Sequence, residues 1–161
     1  MSSAHQNLSS YNPADLPNVA DSRFSIVVAE WNSEITFALL SGAIDTLKSH
    51  GVQDQNISVH YVPGSFELVA GGAMVYKSLK PDAVICLGCV IQGETRHFDF
   101  ICNAVANGLA QLSANHAAPF IFGVLTTDNI EQAKDRSGGK HGNKGVEAAV
   151  TAIKMTRAID N

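Results

Sequence analysis

Residues 83–91 read AVICLGCVI, nine consecutive positions without a charge. A strand that is wet on one face alternates apolar with polar residues, so one that is apolar throughout must be covered on both faces. This predicts a central strand of a parallel sheet with helices above and below it. The flanking sequence repeats the theme. FSIVVA (24–29), ISVHYV (57–62) and FIFGVLTT (120–127) are further short β-branched runs, separated by longer stretches with helical spacing. The stretch 33–50 places Ile35, Leu39, Leu40, Ala43, Ile44 and Leu47 on one helical face, with Gly51 as its stop. A second helix opens at Phe66 and carries Leu68, Val69, Ala73, Met74 and Val75, although Gly71 and Gly72 weigh against it. A third runs from about His97 to Ala114. A fourth is opened by Asp128 with Glu131 three residues on, the spacing of a capping box, and the last spans about Gly145 to Ile159. Four strands alternating with helices imply right-handed crossovers. The expected fold class is therefore α/β, a three-layer α/β/α sandwich around a four-stranded parallel sheet.

The 161 residues suffice for one domain, expected to divide into an N-terminal arm (1–20) and a single folded unit (21–161). Hydrophobic residues make up 45% and charged residues only 16%, against about 25% in ordinary soluble domains, which implies surface covered by other subunits. A formal net charge of −4 with no Lys/Arg block argues against nucleic acid and anionic membranes as partners. No apolar run approaches the ~18 residues of a membrane-spanning helix, and residues 1–20 lack the basic start and apolar stretch of a secretion signal. Cys86, Cys89 and Cys102 are an odd number, set in or beside apolar segments as buried thiols usually are. Together these point to a cytoplasmic, reducing environment.

In parallel sheets of this kind ligands bind at the carboxyl ends of the strands, so the chemistry is sought there. The first strand ends in Glu30, Trp31 and Asn32; the only tryptophan of the chain is either a π-face for a flat ligand or a cap on the edge of the core. After the second strand come Pro63, Gly64, Ser65, Phe66 and Glu67. Alone, they read best as a helix start, with Ser65 as N-cap and Glu67 complementing the dipole. The central strand runs into Gln92-Gly93-Glu94-Thr95-Arg96-His97-Phe98-Asp99, a glycine and a hydroxyl ahead of a helix whose first N–H groups suit a phosphate or carboxylate. His97, in that first turn, is placed for general acid/base work. Residues 134–145 (KDRSGGKHGNKG) gather Arg136, Lys140 and Lys144 among four glycines, either an anion clamp or a solvated basic loop.

Other signals fail. The dinucleotide and nucleoside-triphosphate glycine motifs are absent, as is the G-x-S-x-G serine elbow. Cys86 and Cys89 lie three apart in one strand, so their side chains point to opposite faces and cannot share a metal or readily pair. The six histidines form no H-x-x-x-H pair and no acidic cluster joins them, so no metal site is expected.

Taken in order, these residues resemble one family, the lumazine synthases (6,7-dimethyl-8-ribityllumazine synthases) of riboflavin biosynthesis. The resemblance runs from Phe24 to the last helix through Glu30-Trp31-Asn32, Pro63-Gly64-Ser65-Phe66-Glu67-Leu68 and Gly88-Cys89-Val90-Ile91-Gln92-Gly93-Glu94-Thr95-Arg96-His97-Phe98-Asp99. It continues through Phe122-Gly123-Val124-Leu125-Thr126-Thr127, Glu131-Gln132-Ala133 with Arg136, and Gly142-Asn143-Lys144-Gly145. It implies a flavodoxin-like sandwich that condenses 5-amino-6-(D-ribitylamino)uracil with 3,4-dihydroxy-2-butanone 4-phosphate, releasing phosphate and water, with no cofactor and no metal. By position it implies Trp31 stacked on the pyrimidine, Ser65 and Glu67, with Phe66 between them, on the ribityl chain, and the backbone of Cys89, Val90 and Ile91 on the pyrimidine edge. Glu94 and Thr95, beside Gly93, would hold the phosphate, and His97 would shuttle protons. Phe122, Arg136 and Lys144 match positions that reach the site from a neighbouring subunit, Arg136 as the catalytic partner of the phosphate.

The same resemblance implies a homo-oligomer with active sites at subunit interfaces: pentamers that stay single, pair, or close into an icosahedral capsid, with room for a riboflavin synthase partner. The arm, with Pro13 and Pro17, suits only in part the strand that such arms can add to a neighbour's sheet. Two other readings are weighed. One is a non-catalytic flavin- or lumazine-binding carrier of the same fold, against which His97 and Arg136 argue. The other is a flavodoxin-like electron carrier, whose phosphate loop would have to follow the first strand, where Glu30-Trp31-Asn32-Ser33-Glu34 has no glycine.

Overall fold

The structure, a computed structural model, describes residues 7–158. Strands β1 (Phe24–Ala29), β2 (Ile57–Val62), β3 (Ala83–Ile91) and β4 (Phe120–Thr127) form one parallel sheet in the order β2-β1-β3-β4. All four strands occupy the residues expected of them. β3 is an inner strand and is buried on both faces from Ala83 to Cys89, so the apolar run was a faithful sign of double coverage. The edge strand β2 is half-buried, with Tyr61 on the surface.

Helices α1 (Ser33–Ser49) and α5 (Lys144–Thr156) cover one face, and α2 (Leu68–Leu79) and α3 (His97–His116) the other. The larger core packs Phe24, Ile26, Val28, Ile85 and Leu87 of the sheet against Leu39, Leu47, Ala149 and Ile153. The smaller one packs Val27, Val84, Cys86 and Val124 against Leu68, Val105 and Leu109. Cys86 and Cys89 thus fall into different cores, as their spacing requires, and both thiols are free.

Several boundaries differ from expectation for local reasons. α2 begins at Leu68 rather than Phe66, with Glu67 at the N-cap making no side-chain bond; Ser65 is not the cap. One of its two glycines allows a close approach. A Cβ on Gly71 would stand 2.8 Å from Val62 Cγ1 and 3.0 Å from Val27 Cγ1, so the helix can lie directly on the sheet only without it. The short helix α4 (Ile130–Asp135) is capped one residue later than expected: Asn129 Oδ1 accepts from Gln132 N at 2.9 Å, while Gln132 Oε1 accepts from Asp128 N at 3.0 Å. α3 runs two residues beyond Ala114 and stops where Ala117 turns left-handed (φ 48°). The last helix ends at Thr156, and its expected end at Ile159 lies outside the described residues.

The basic glycine-rich segment forms a small hairpin, β5 (Ser137–Gly139) and β6 (Gly142–Asn143). The arm, from Asn7 on, lies along its own chain. Leu8 N donates to His141 O at 2.8 Å, Asn143 N donates to Ser9 Oγ at 2.9 Å, and Val19 is fully buried in the larger core. Its first six residues lie outside the described ones.

Candidate active site

The carboxyl ends of β1, β2 and β3 and the starts of α2 and α3 enclose a cleft of about 680 Å³. It is where a doubly wound sheet should bind a ligand, near the point at which the strand order reverses. Trp31, Ser65, Phe66, Glu67, Cys89, Val90, Ile91, Gly93, Thr95 and His97 all line it. Residues from three separate segments, 31, 65–67 and 89–97, thus meet at one place.

Each wall has a structural reason. β3 makes its last pairing with β1 at Leu87 and runs on to Ile91 against β4 alone, so its end has one edge free of a neighbouring strand. Trp31 is held over this region by its backbone, with Glu30 N donating to Val62 O at 2.8 Å and Trp31 N to Pro63 O at 3.1 Å, while the indole remains 73% exposed. Phe66 is also exposed. Two aromatic rings in water at the mouth of an apolar cleft fit a binding surface better than a core edge.

Ser65 is buried, and its Oγ is the one buried side-chain polar atom among the described residues without a hydrogen-bond partner. A buried hydroxyl left unsatisfied costs about 1–3 kcal/mol, a cost that a ligand's polar group can remove. Gly88 makes this placement feasible, since a Cβ there would lie 2.7 Å from Ser65 Oγ and 2.9 Å from Leu68 Cδ1. Glu67 folds back so that its Oε2 is 3.1 Å from where a Cβ on Gly64 would be.

At the other end of the cleft, the backbone N–H groups of Gly93, Glu94, Thr95 and Arg96 donate to no acceptor among the described residues. Arg96 is the N-cap of the 20-residue helix α3 and gives it no side-chain cap. Thr95 Oγ1 accepts from His97 N at 3.4 Å, which aligns the threonine hydroxyl with the first turn. A row of free donors at the positive end of a helix suits an anion, and His97 lines the same cleft. Glu94 lies in the same turn, exposed to solvent, with its side chain outside the cleft lining.

Three expected residues lie elsewhere in this chain. Phe122, on the edge strand β4, and Lys144, at the start of α5, line a second cavity of about 560 Å³ between α3, β4 and α5. Arg136 follows α4, half-buried, with Nη1 donating to Gln132 O at 3.0 Å, and its carbonyl accepts from Lys144 N at 2.9 Å. The hairpin brings Arg136 and Lys144 together. Lys144 Nζ is already paired with Glu147 Oε1 at 2.5 Å.

Asn32, Gly64, Phe98 and Ile101 line the cleft without having been expected to. Asn32 carried a legible signal, as an asparagine in a turn readily turns left-handed, and here its φ is 60°. The role of Gly88 was hidden, because a glycine inside an apolar run shows nothing of what packs on it. Burial pushes the Cys86 thiol up to about 12 and the Cys89 thiol to about 11, so neither offers a thiolate near neutrality. Among the described residues no group of three or more His, Cys, Asp or Glu could hold a metal ion, and no helix is long and apolar enough to cross a membrane.

Comparison with known proteins adds a second line of observation. The family model described as 6,7-dimethyl-8-ribityllumazine synthase matches residues 21–160. The 6,7-dimethyl-8-ribityllumazine synthase of Cytophaga hutchinsonii is 59% identical over 155 residues, covering 96% of this chain and 97% of that protein. Those of Phocaeicola vulgatus and Parabacteroides distasonis are 54% and 52% identical over the same length, covering 96% of this chain and 92% and 97% of their own.

Proposed function

From the premise that the chain belongs to the 6,7-dimethyl-8-ribityllumazine synthase family and is an enzyme of riboflavin biosynthesis, we propose how its own residues carry the reaction. The substrates are 5-amino-6-(D-ribitylamino)uracil and 3,4-dihydroxy-2-butanone 4-phosphate. Trp31 stacks on the pyrimidine, whose polar edge meets the free backbone edge of Cys89, Val90 and Ile91. The ribityl hydroxyls satisfy Ser65 and Glu67, with Phe66 closing over them. The phosphate sits on the N–H groups of Gly93, Glu94 and Thr95 and on the Thr95 hydroxyl.

The amine nitrogen then adds to the ketone, water leaves, and an imine forms. Removal of a proton from the adjacent carbon lets the phosphate depart, and closure of the second ring releases another water. His97, beside the anion site, takes and returns these protons. Holding two reactants in contact supplies much of the rate, so one proton shuttle and fixed donors suffice without a cofactor. The observation that carries this reading is the row of unpartnered N–H donors next to His97 in a cleft that also holds the unsatisfied Ser65 hydroxyl.

Phe122, Arg136 and Lys144 lie off this cleft in their own chain, which supports their acting on a neighbour's. In this reading Phe122 covers the ring and Arg136 pairs with the phosphate across a subunit interface. The protein is then a cytoplasmic homo-oligomer built from pentamers, and if these close into a capsid, a riboflavin synthase has room inside. The test is phosphate release followed together with lumazine absorbance, corrected for the uncatalysed reaction. Both signals should rise together, and His97→Ala should slow them by about 10²-fold without abolishing them, because positioning survives. No turnover above background with the pyrimidine still bound would make the protein a carrier instead.

A further inference from the structure

Asn32 occupies the N-cap of α1 and behaves unlike an N-cap asparagine. Such a residue is normally extended and accepts a hydrogen bond from the first turn of its helix. Here Asn32 is left-handed (φ 60°, ψ 45°), and its side chain makes no cap bond. Instead its Nδ2 donates to Cys89 O at 3.0 Å, across 57 residues of sequence. Only the backbone carbonyl serves the helix, accepting from Ile35 N at 2.9 Å and Thr36 N at 3.0 Å.

The acceptor explains the arrangement. β1 stops pairing with β3 at Leu87, so beyond that point no strand donates to β3 on this side. Asn32 supplies an amide where the next residues of β1 would have supplied backbone N–H groups. It thereby ties the turn bearing Trp31 to the strand end that forms the facing wall of the cleft.

Resting on the functional reading above, we propose that Asn32 is a positioning residue for the pyrimidine. Its amide fixes the height of the Trp31 indole over the backbone of Cys89 to Ile91, and so sets the slot into which a flat ring slides. It acts through Trp31 and Cys89. The slot is preorganised, so the ring binds without the cost of ordering the turn.

Trp31 is the only tryptophan, so its emission reports this turn alone. The test compares the full-length protein with Asn32→Gly, which adopts the left-handed turn freely but has no amide, and Asn32→Asp, which keeps the shape but turns an acceptor toward the Cys89 carbonyl. Without substrate, time-resolved anisotropy should show a larger fast component for Trp31 in both variants. With substrates, KM for the pyrimidine should rise about tenfold while kcat stays within about threefold, the pattern of lost ground-state positioning.

Unchanged anisotropy in Asn32→Gly overturns the clamp, whatever the activity. A freer Trp31 with unchanged KM also overturns the proposal, since the clamp would then be structural only. Should wild type show no turnover, the functional reading fails separately, and quenching of Trp31 by the pyrimidine substrate replaces KM as the readout. If Asn32→Asp fails to fold, Asn32→Gly alone still decides.

Discussion

Among the described residues the buried Ser65 hydroxyl meets no hydrogen-bond partner, so it lowers stability where a ligand can use it. Ser65→Ala should therefore raise the thermal midpoint, by the equivalent of about 1 kcal/mol, while KM for the ribityl substrate rises about tenfold; differential scanning fluorimetry and steady-state kinetics on one preparation check both. The Cys86 thiol sets a different limit. Its ordinary value is 9.0, and burial pushes it up to about 12, so above pH 9 the unfolded chain has released a proton that the folded chain keeps. The stabilisation from that mismatch is full below pH 9 and is lost as pH rises toward 12. Urea midpoints should fall between about pH 8 and about pH 10.5, and fall less in Cys86→Ala. At this scale the strand ends told where to look, and Trp31, Thr95 and His97, which follow them in the sequence, all line the cleft. It was unreadable where the role depends on a partner far along the chain, as for Asn32 with Cys89 and Gly88 with Ser65.

The elements were legible because each has one dominant period, and their ends were less so because capping is decided by single hydrogen bonds. Both Asp128 and Asn129 are good N-caps; Asn129 takes the position, its Oδ1 accepting from Gln132 N, while the Gln132 side chain reaches back to Asp128, accepting from its N and donating to its Oδ2. Close contacts between elements are the least legible. A Cβ on Gly145 would overlap the Leu39 carbonyl, and one on Gly42 would lie 2.7 Å from the Asn143 side chain, so α1 and α5 touch almost backbone to backbone. Gly145→Ala should force them apart at a cost of about 1–3 kcal/mol, read as a lower urea midpoint. The same shift would move the Arg136 and Lys144 pair, since Asn143, between them and α1, donates to Ala38 O at 2.9 Å.

A scarcity of charge hinted at covered surface, but a single chain does not carry the geometry of its assembly, so the placement of Phe122, Arg136 and Lys144 away from the cleft was legible only through resemblance. Mixing answers the question directly. If sites are shared, equal amounts of His97→Ala and Arg136→Ala subunits, unfolded and reassembled together, should regain about a quarter of the wild-type sites, since each intact site takes one good residue from each parent. Activity no greater than the average of the two parents would place both residues in one subunit's site. The order of the elements bears on how the molecule is made. β1, β2 and β3 are complete by residue 91, yet the face they share with α1 is closed by Ala148, Ala149, Ala152 and Ile153 of α5, more than fifty residues later. On the ribosome the nascent chain must therefore carry an oily, uncapped face from the completion of β3 until α5 has emerged, which makes synthesis rather than storage the period when it most needs a chaperone.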